Sequence, residues 1–292
     1  MRPYQARHSI FAGLHLMRCA ECGMVFADPM PSQEQWDAYN RDFFAESESA
    51  APNTGAIPFF KGVAQIRLDY ISAEFGGTLP DSVVEIGPGP GYFCRAYKDR
   101  VPVVSYCAIE TDLSCHDPLR EIGVEVHADL AAVKQEGPGA GLVVMSHVLE
   151  HSQQPRDFIR SVLELLRPGG AMFIEIPCMD FEYKAVFDAH VLFFAKSPLE
   201  RLLVDAGISR YRLSYHGEPI VVLKRQLSRG WRMVSRVREA AGRLWSSGAR
   251  DAPAEESLLQ DEDMWHHVAP FKPHVENKQP SRWLRAMAFK PE

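Results

Sequence analysis

The 292-residue sequence has no apolar run long enough to cross a bilayer. Stretches such as Gly141-Leu142-Val143-Val144-Met145 fall far short of the roughly 20 apolar residues that a spanning helix needs. Met1-Arg2-Pro3-Tyr4 does not open a secretory leader, so a cytoplasmic location is expected. Cysteine is scarce. Of the six present, only Cys19 and Cys22 form a close pair, which argues against a disulfide framework and suits a reducing compartment. Positive charge is not in excess either: a net charge of −6 gives no general attraction for nucleic acid and leaves only a local basic patch for such a role. No internal repeat is evident.

What is present is ordinary for a globular protein. With 46% hydrophobic and 24% charged residues, neither general disorder nor a fibrous repeat is indicated, and the length suits one dominant core with something smaller attached. Residues 1–31 read as a small hairpin-rich unit around Cys19-Ala20-Glu21-Cys22-Gly23, broken by Asp28-Pro29-Met30-Pro31. Ser32, three residues before Gln35, opens a helix with a capping-box pattern. Ser47 to Pro58 reads as a loop able to cover a site, and Phe59 to Phe75 as a helix ended by Gly76-Gly77. The period then changes. Short β-rich runs at Ser82 to Ile86, Val101 to Ile109, Val124 to His127, Leu142 to Met145 and Ala171 to Ile176 alternate with helical segments. This pattern predicts a doubly wound, mostly parallel α/β sheet. Asp157 to Leu166 is the clearest crossover helix, with Arg167-Pro168-Gly169-Gly170 as its stop, and Ser197-Pro198 opens another. Arg210 to Tyr215 and Pro219 to Lys224 read as a terminal antiparallel pair.

Chemistry first shows at Glu85-Ile86-Gly87-Pro88-Gly89-Pro90-Gly91. Three glycines spaced by single residues, directly after a strand, bring backbone close to a ligand at the strand's carboxyl end. A tight strand-to-helix turn accounts for the spacing without a ligand. A dinucleotide fingerprint requires a further glycine where this chain has Tyr92, which argues against a nicotinamide cofactor. A ligand without a pyrophosphate needs acceptors for a ribose diol instead. Glu110, at the end of the next strand, can take both hydroxyl hydrogens. Asp129 ends the third strand, where its carboxylate is placed either to accept from an adenine amino group or simply to cap a loop.

Five segments in this order resemble class I S-adenosylmethionine-dependent methyltransferases: Val-Val-Glu-Ile-Gly-Pro-Gly-Pro-Gly-Tyr-Phe at 83–93, Ala-Ile-Glu-Thr-Asp at 108–112, His-Ala-Asp-Leu at 127–130, Ser-His-Val-Leu-Glu-His at 146–151 and Leu-Arg-Pro-Gly-Gly at 166–170. The resemblance spans about Val83 to Lys224. It implies S-adenosylmethionine as cofactor, with Glu85, Gly87, Pro88, Gly89 and Gly91 at its methionine end, Glu110 at the ribose, Asp129 and Leu130 at the adenine region, and Ser146 beside them. Arg18-Cys19-Ala20-Glu21-Cys22-Gly23 is similar to one knuckle of the zinc ribbon that precedes the catalytic domain in a bacterial subset of these enzymes. Structural zinc wants four ligands, and only His8 and His15 stand near Cys19 and Cys22 to complete the set.

Methyl transfer is an in-line displacement that depends on alignment, and a hydroxyl nucleophile also benefits from a base. His151 is the first choice for that base, followed by His147 and His190. A Glu-His pair can equally serve only to orient its loop. Together His147, Glu150, His151 and His190 could also supply nitrogen and oxygen ligands to a divalent ion. Farther on, arginines from Arg225 to Arg243 alternate with Trp231, Val234, Val237, Leu244 and Trp245 as a basic amphipathic helix, either an ordinary solvated face or a peripheral membrane contact.

The expected organisation is a knuckle-like element at 1–31, a helical cap at 32–80, a methyltransferase domain at 81–225, and a basic helix with a C-terminal tail at 226–292. The expected activity is methylation of a small-molecule or sugar acceptor at a hydroxyl. The alternatives are a non-catalytic scaffold that retains the cofactor fold, and a nucleic-acid methyltransferase.

Overall fold

The apolar residues around the cysteine pair form the expected hairpin. In the computed structural model, strands β1 (Arg2–Pro3), β2 (His15–Arg18) and β3 (Val25–Asp28) pair antiparallel. The structure describes residues 2–6, 8–41, 56–133, 139–187, 189–226 and 261–292. The hairpin does not stand apart from the rest: Leu16, Val25 and Ala27 are buried in the same core as Val143 and Ile174. Helix α1 (Gln33–Arg41) begins with the reciprocal bonds of a capping box. The Ser32 N–H donates to Gln35 Oε1 (2.9 Å), and the Gln35 N–H donates to Ser32 Oγ (3.2 Å).

Beyond it run α2 (Ala56–Glu74), β4 (Ser82–Ile86), α3 (Tyr92–Arg100), β5 (Ser105–Ile109), α4 (His116–Glu121), β6 (Glu125–His127), β7 (Ala140–Ser146), α5 (Pro155–Leu165) and β8 (Leu166–Pro177). Next come β9 (Leu192–Phe193), α6 (Lys196–Asp205), β10 (Arg210–Pro219), α7 (Asp261–Val268), β11 (Glu276–Asn277) and β12 (Ser281–Phe289). The strand β9 pairs with β3, which ties the hairpin to the loop leaving β8. The main sheet has the order β11-β10-β12-β8-β7-β4-β5-β6. Strands β4 to β8 are parallel, and β12 is antiparallel to both β8 and β10. Alternation along the strands builds two cores. Val84, Ile86, Val143 and Met145 face one way, while Val83, Leu142 and Val144 pack against Leu68 of α2 and Phe93 of α3 on the other face.

Three expectations are corrected. Pro219 to Lys224 is not a strand: residues 220–226 are helical, with Ile220 and Leu223 buried at helical spacing. The antiparallel partner of β10 is β12, which the chain supplies more than sixty residues later. The C-terminal tail does carry a helix, α7, but residues 281–289 belong to the sheet of the 81–225 unit, not to an appendage. The Arg167-Pro168-Gly169-Gly170 turn lies within β8 as an irregularity, since Leu166 pairs with Ala140 and Ala171 with Leu142. The covering loop expected at Ser47 to Pro58 lies outside the described residues up to position 55, and residues 56–58 open α2. The basic helix lies outside them beyond residue 226. No helix among the described residues is long and apolar enough to cross a membrane.

Candidate active site

Strand order reverses between β4 and β7, and loops that diverge at such a point leave a crevice beyond the carboxyl ends of the strands. A cavity of about 530 Å³ lies there. Gly87, Glu110, Asp129, Leu130 and Ser146 line one side, while His147, His151 and His190 line the other with Trp36 of α1 and Phe158 of α5.

The glycine loop is built from left-handed backbone. Gly87 has φ +68° and Gly91 φ +82°, conformations that a side chain resists. A Cβ on Gly87 would stand 2.8 Å from Val148 Cγ2, and one on Gly91 2.7 Å from Leu119 Cδ2. Glu110 is buried against this loop; its Oε2 accepts the Gly89 N–H and its Oε1 the Asp112 N–H, both at 2.9 Å. Burial raises the pKa of Glu110, and the two N–H donors oppose the rise. Asp129 is exposed, and it accepts the Ala132 N–H (2.8 Å), so it does cap a turn. Ser146 Oγ is buried without a partner, which leaves an unsatisfied polar atom at the wall where a polar ligand fits.

Glu85, Pro88, Gly89 and Gly91 are not among the lining residues. Glu85 follows the strand's alternation to the opposite face, where it accepts the Tyr106 O–H (2.7 Å). Burial pushes its carboxyl up to about 7, against the lowering effect of Tyr106 and Arg67. A raised folded-state value means stability that is full below the ordinary carboxylate range and lost as pH rises through about 7. Glu85→Gln is therefore expected to raise the stability of the ligand-free protein at pH 8 by about 2 kcal/mol. The gain should shrink toward zero by pH 5, as read from denaturant midpoints at both pH values.

The histidines occupy three different settings. His147 has φ +58°, a strained conformation for a side-chain-bearing residue and one that often marks a functional position. Its N–H donates to Glu175 O (2.8 Å), Nδ1 lies 3.2 Å from Glu150 Oε1, and Nε2 lies 3.8 Å from Glu175 Oε1. His151 Nδ1 lies 3.0 Å from Ala189 O. A carbonyl only accepts, so Nδ1 carries the proton and Nε2 is the acceptor. Burial lowers the His151 pKa to about 4, leaving the ring neutral at physiological pH. His190 Nδ1 lies 2.8 Å from Asp180 Oδ2, which Lys184 Nζ also approaches (2.9 Å). Burial alone would raise the Asp180 carboxyl, but His190 and Lys184 hold it below the usual range.

Several of these neighbours carry no signal in the linear sequence. Asp180 stands ten residues before His190 with no motif linking them, and Trp36 reaches the cavity from the N-terminal helix. Glu175 joins Arg67 of α2 (2.8 and 2.5 Å) to Arg285 of β12 (2.6 Å) beneath His147. Cys19 and Cys22 lie half-buried at the turn between β2 and β3. Backbone N–H groups of Cys22 and then Glu21 lower the Cys19 pKa. Among the described residues, however, the cysteines gather no third ligand, neither His8 nor His15.

A parallel sheet with a reversed strand beside its end, a glycine loop at the switch point and an acid after the neighbouring strand define a class I S-adenosylmethionine-dependent methyltransferase. The chain belongs to the methyltransferase domain family, whose model matches residues 59–212. Among solved structures it is similar to the plantazolicin methyltransferase BpumL in complex with S-adenosylhomocysteine, at 14% identity over 89% of this chain and 96% of that one, with a TM-score of 0.53. The related BamL complex gives 12% identity over 88% and 97%, with a TM-score of 0.52. A phosphoethanolamine N-methyltransferase of Haemonchus contortus gives 13% over 86% of this chain and 60% of that one, with a TM-score of 0.50. At these identities the likeness is one of fold. Comparison with curated proteins gives no significant match.

Proposed function

We propose that this methyltransferase acts on a hydroxyl of a small molecule or sugar, with the histidine cluster taking the proton. The observation that carries the reading is the continuity of the cavity: Gly87, Glu110 and Ser146 share one space with His147, His151 and His190. The cofactor supplies an electrophilic methyl on a sulfonium. In this reading Glu110 receives the ribose hydroxyls, Asp129 and Leu130 flank the adenine, and the backbone of Gly87 to Gly91 passes close to the methionine end. Glu85 acts from behind the loop by shaping its strand. Trp36 and Phe158 exclude water around an acceptor, which favours alignment of the reacting atoms. His151, neutral and with Nε2 directed away from its backbone partner, is the first-ranked proton acceptor, and His147 and His190 stand beside it.

The test is transfer of labelled methyl to a panel of sugars, phenols, amines and peptides, with product linkage read by mass spectrometry. Ether products are expected, and His151→Ala should lower the rate by roughly 10²-fold or more while S-adenosylhomocysteine binding persists. Methylation confined to nitrogen or carbon acceptors would overturn the hydroxyl assignment. Cofactor binding without transfer to any acceptor would favour the scaffold alternative.

A further inference from the structure

We propose that the N-terminal hairpin is a working part of the acceptor site, and that Tyr4 is a positioning residue which, through the backbone of residues 189–191, fixes the tautomer of His151. The inference rests on the reading of His151 as proton acceptor given above. Tyr4 is not among the residues that line the cavity, so it acts through others.

Three successive carbonyls carry the connection. Ala189 O accepts from His151 Nδ1 (3.0 Å), His190 O accepts the Tyr4 O–H (2.9 Å), and Val191 O accepts the Ala27 N–H of β3 (2.8 Å). The hairpin thus holds the peptide planes that follow His190 and Val191, and the plane just before them presents the oxygen that keeps the proton on Nδ1. That plane is anchored to the N-terminal segment as well. Its N–H, from His190, donates to Phe187 O (2.7 Å), and the Phe187 N–H donates to Gln5 O (2.8 Å). The other flank of His151 is tied to the same element, since Gln153 Nε2 donates to Pro31 O (2.9 Å) and the Trp36 ring stands 6.4 Å from the imidazole.

Tyr4 is 7% exposed and packs against Phe11 (centroids 5.8 Å apart, 26°) and Phe187 (5.4 Å, 84°). Aromatic packing on both sides fixes the ring, so its O–H is delivered to one buried carbonyl. The consequence for chemistry lies in the two imidazole nitrogens. His151 can take a hydroxyl proton only while Nε2 is bare, and the bond from Nδ1 to Ala189 O is what selects that tautomer. If the carbonyl swings away, the competing Nε2–H tautomer presents a donor where an acceptor is needed. The hydroxyl oxygen then has no base as its bond to the methyl carbon forms and the carbon–sulfur bond breaks.

The experiment is long-range proton–nitrogen correlation NMR at neutral pH on the full chain labelled at its histidine nitrogens, with the His151 signals assigned by their loss in His151→Gln. Wild type is expected to show His151 protonated at Nδ1. Tyr4→Phe keeps the packed ring and loses only the O–H, and it should move both His151 nitrogen shifts toward the Nε2–H tautomer. On the acceptor that the labelled-methyl panel yields, the same variant should lower kcat roughly 10-fold with KM and S-adenosylhomocysteine affinity little changed. Tyr97→Phe is the control: it removes an equivalent buried bond, to Pro80 O (2.7 Å), away from the cavity, and should lower the melting temperature comparably without moving the His151 shifts or kcat. Unchanged shifts or unchanged kcat in Tyr4→Phe, or changes matched by Tyr97→Phe, would overturn the positioning role. A wild-type His151 already protonated at Nε2 would instead overturn the proton-acceptor reading beneath it.

Discussion

Glu175→Gln is expected to lower the unfolding free energy by about 3–5 kcal/mol, the usual cost of removing one partner from a buried ion pair. Glu175 is fully buried on β8, directly opposite Arg285 of β12 in the sheet register. Arg285 is itself 1% exposed, so the substitution strands a guanidinium in the core. The surrounding contacts offer no replacement charge: Arg285 Nη1 lies 3.2 Å from His216 Nδ1, and His216 Nε2 lies 2.9 Å from Ser214 Oγ. Burial lowers the His216 pKa to about 3, and Arg285 lowers it further. A neutral ring can accept from Arg285 but cannot neutralise it.

The pH dependence follows from the sign of the shift at Glu175. Burial would raise its carboxyl, but Arg67 and Arg285 hold it well below the usual range. A depressed folded-state value gives stability that is present above the unfolded value and lost as pH falls through the folded one. The gap between wild type and Glu175→Gln should therefore be full at neutral pH and close in strong acid, as measured by denaturant unfolding across that range. A constant gap would mean that packing, not charge, sets the cost. Replacing Glu175 and Arg285 together with Leu and Met should recover only part of the loss, because it removes the fully buried Arg285 charge with its partner but leaves Arg67 without the carboxylate it also binds.

Glu110→Ala is expected to weaken S-adenosylhomocysteine binding by roughly 100-fold or more, given about 1.5–3 kcal/mol for each hydrogen bond to a charged group. The change removes the proposed ribose acceptor and leaves the Gly89 and Asp112 N–H groups without their partner, so the loop that approaches the cofactor loosens as well. Glu110→Gln should fall between wild type and Ala, since one amide oxygen can still accept. Calorimetry reads the affinity, and the melting temperature without ligand separates binding from folding. Unchanged affinity in Glu110→Ala would remove this residue from the cofactor contact.

Much of this protein was legible locally. Short β-rich runs marked β4 to β8, a helical period marked α2, the run from Asp157 to Leu166 marked α5, and Ser32 with Gln35 announced the start of α1 through bonds that span three residues. The glycine loop was readable for the same reason, because left-handed backbone and close approach both favour glycine at the position concerned. Its acids were readable only in part. Glu110 and Asp129 end their strands at the cavity, but Glu85 lies one residue before Ile86, and strand alternation turns it to the opposite face.

What the sequence alone determined, then, was the class of sheet, the loop at its switch point and the acids at its strand ends, since each depends on neighbours within a turn or a pleat. Only the tertiary structure decided that β12, not Pro219 to Lys224, lies beside β10, because ladder hydrogen bonds are made by backbone that is alike at every residue. It also decided that Glu175 meets Arg67 and Arg285 across more than a hundred residues, and that Asp180 stands behind His190. Burial makes those long-range pairings necessary, for a charge withdrawn from water must find its partner wherever the fold brings one.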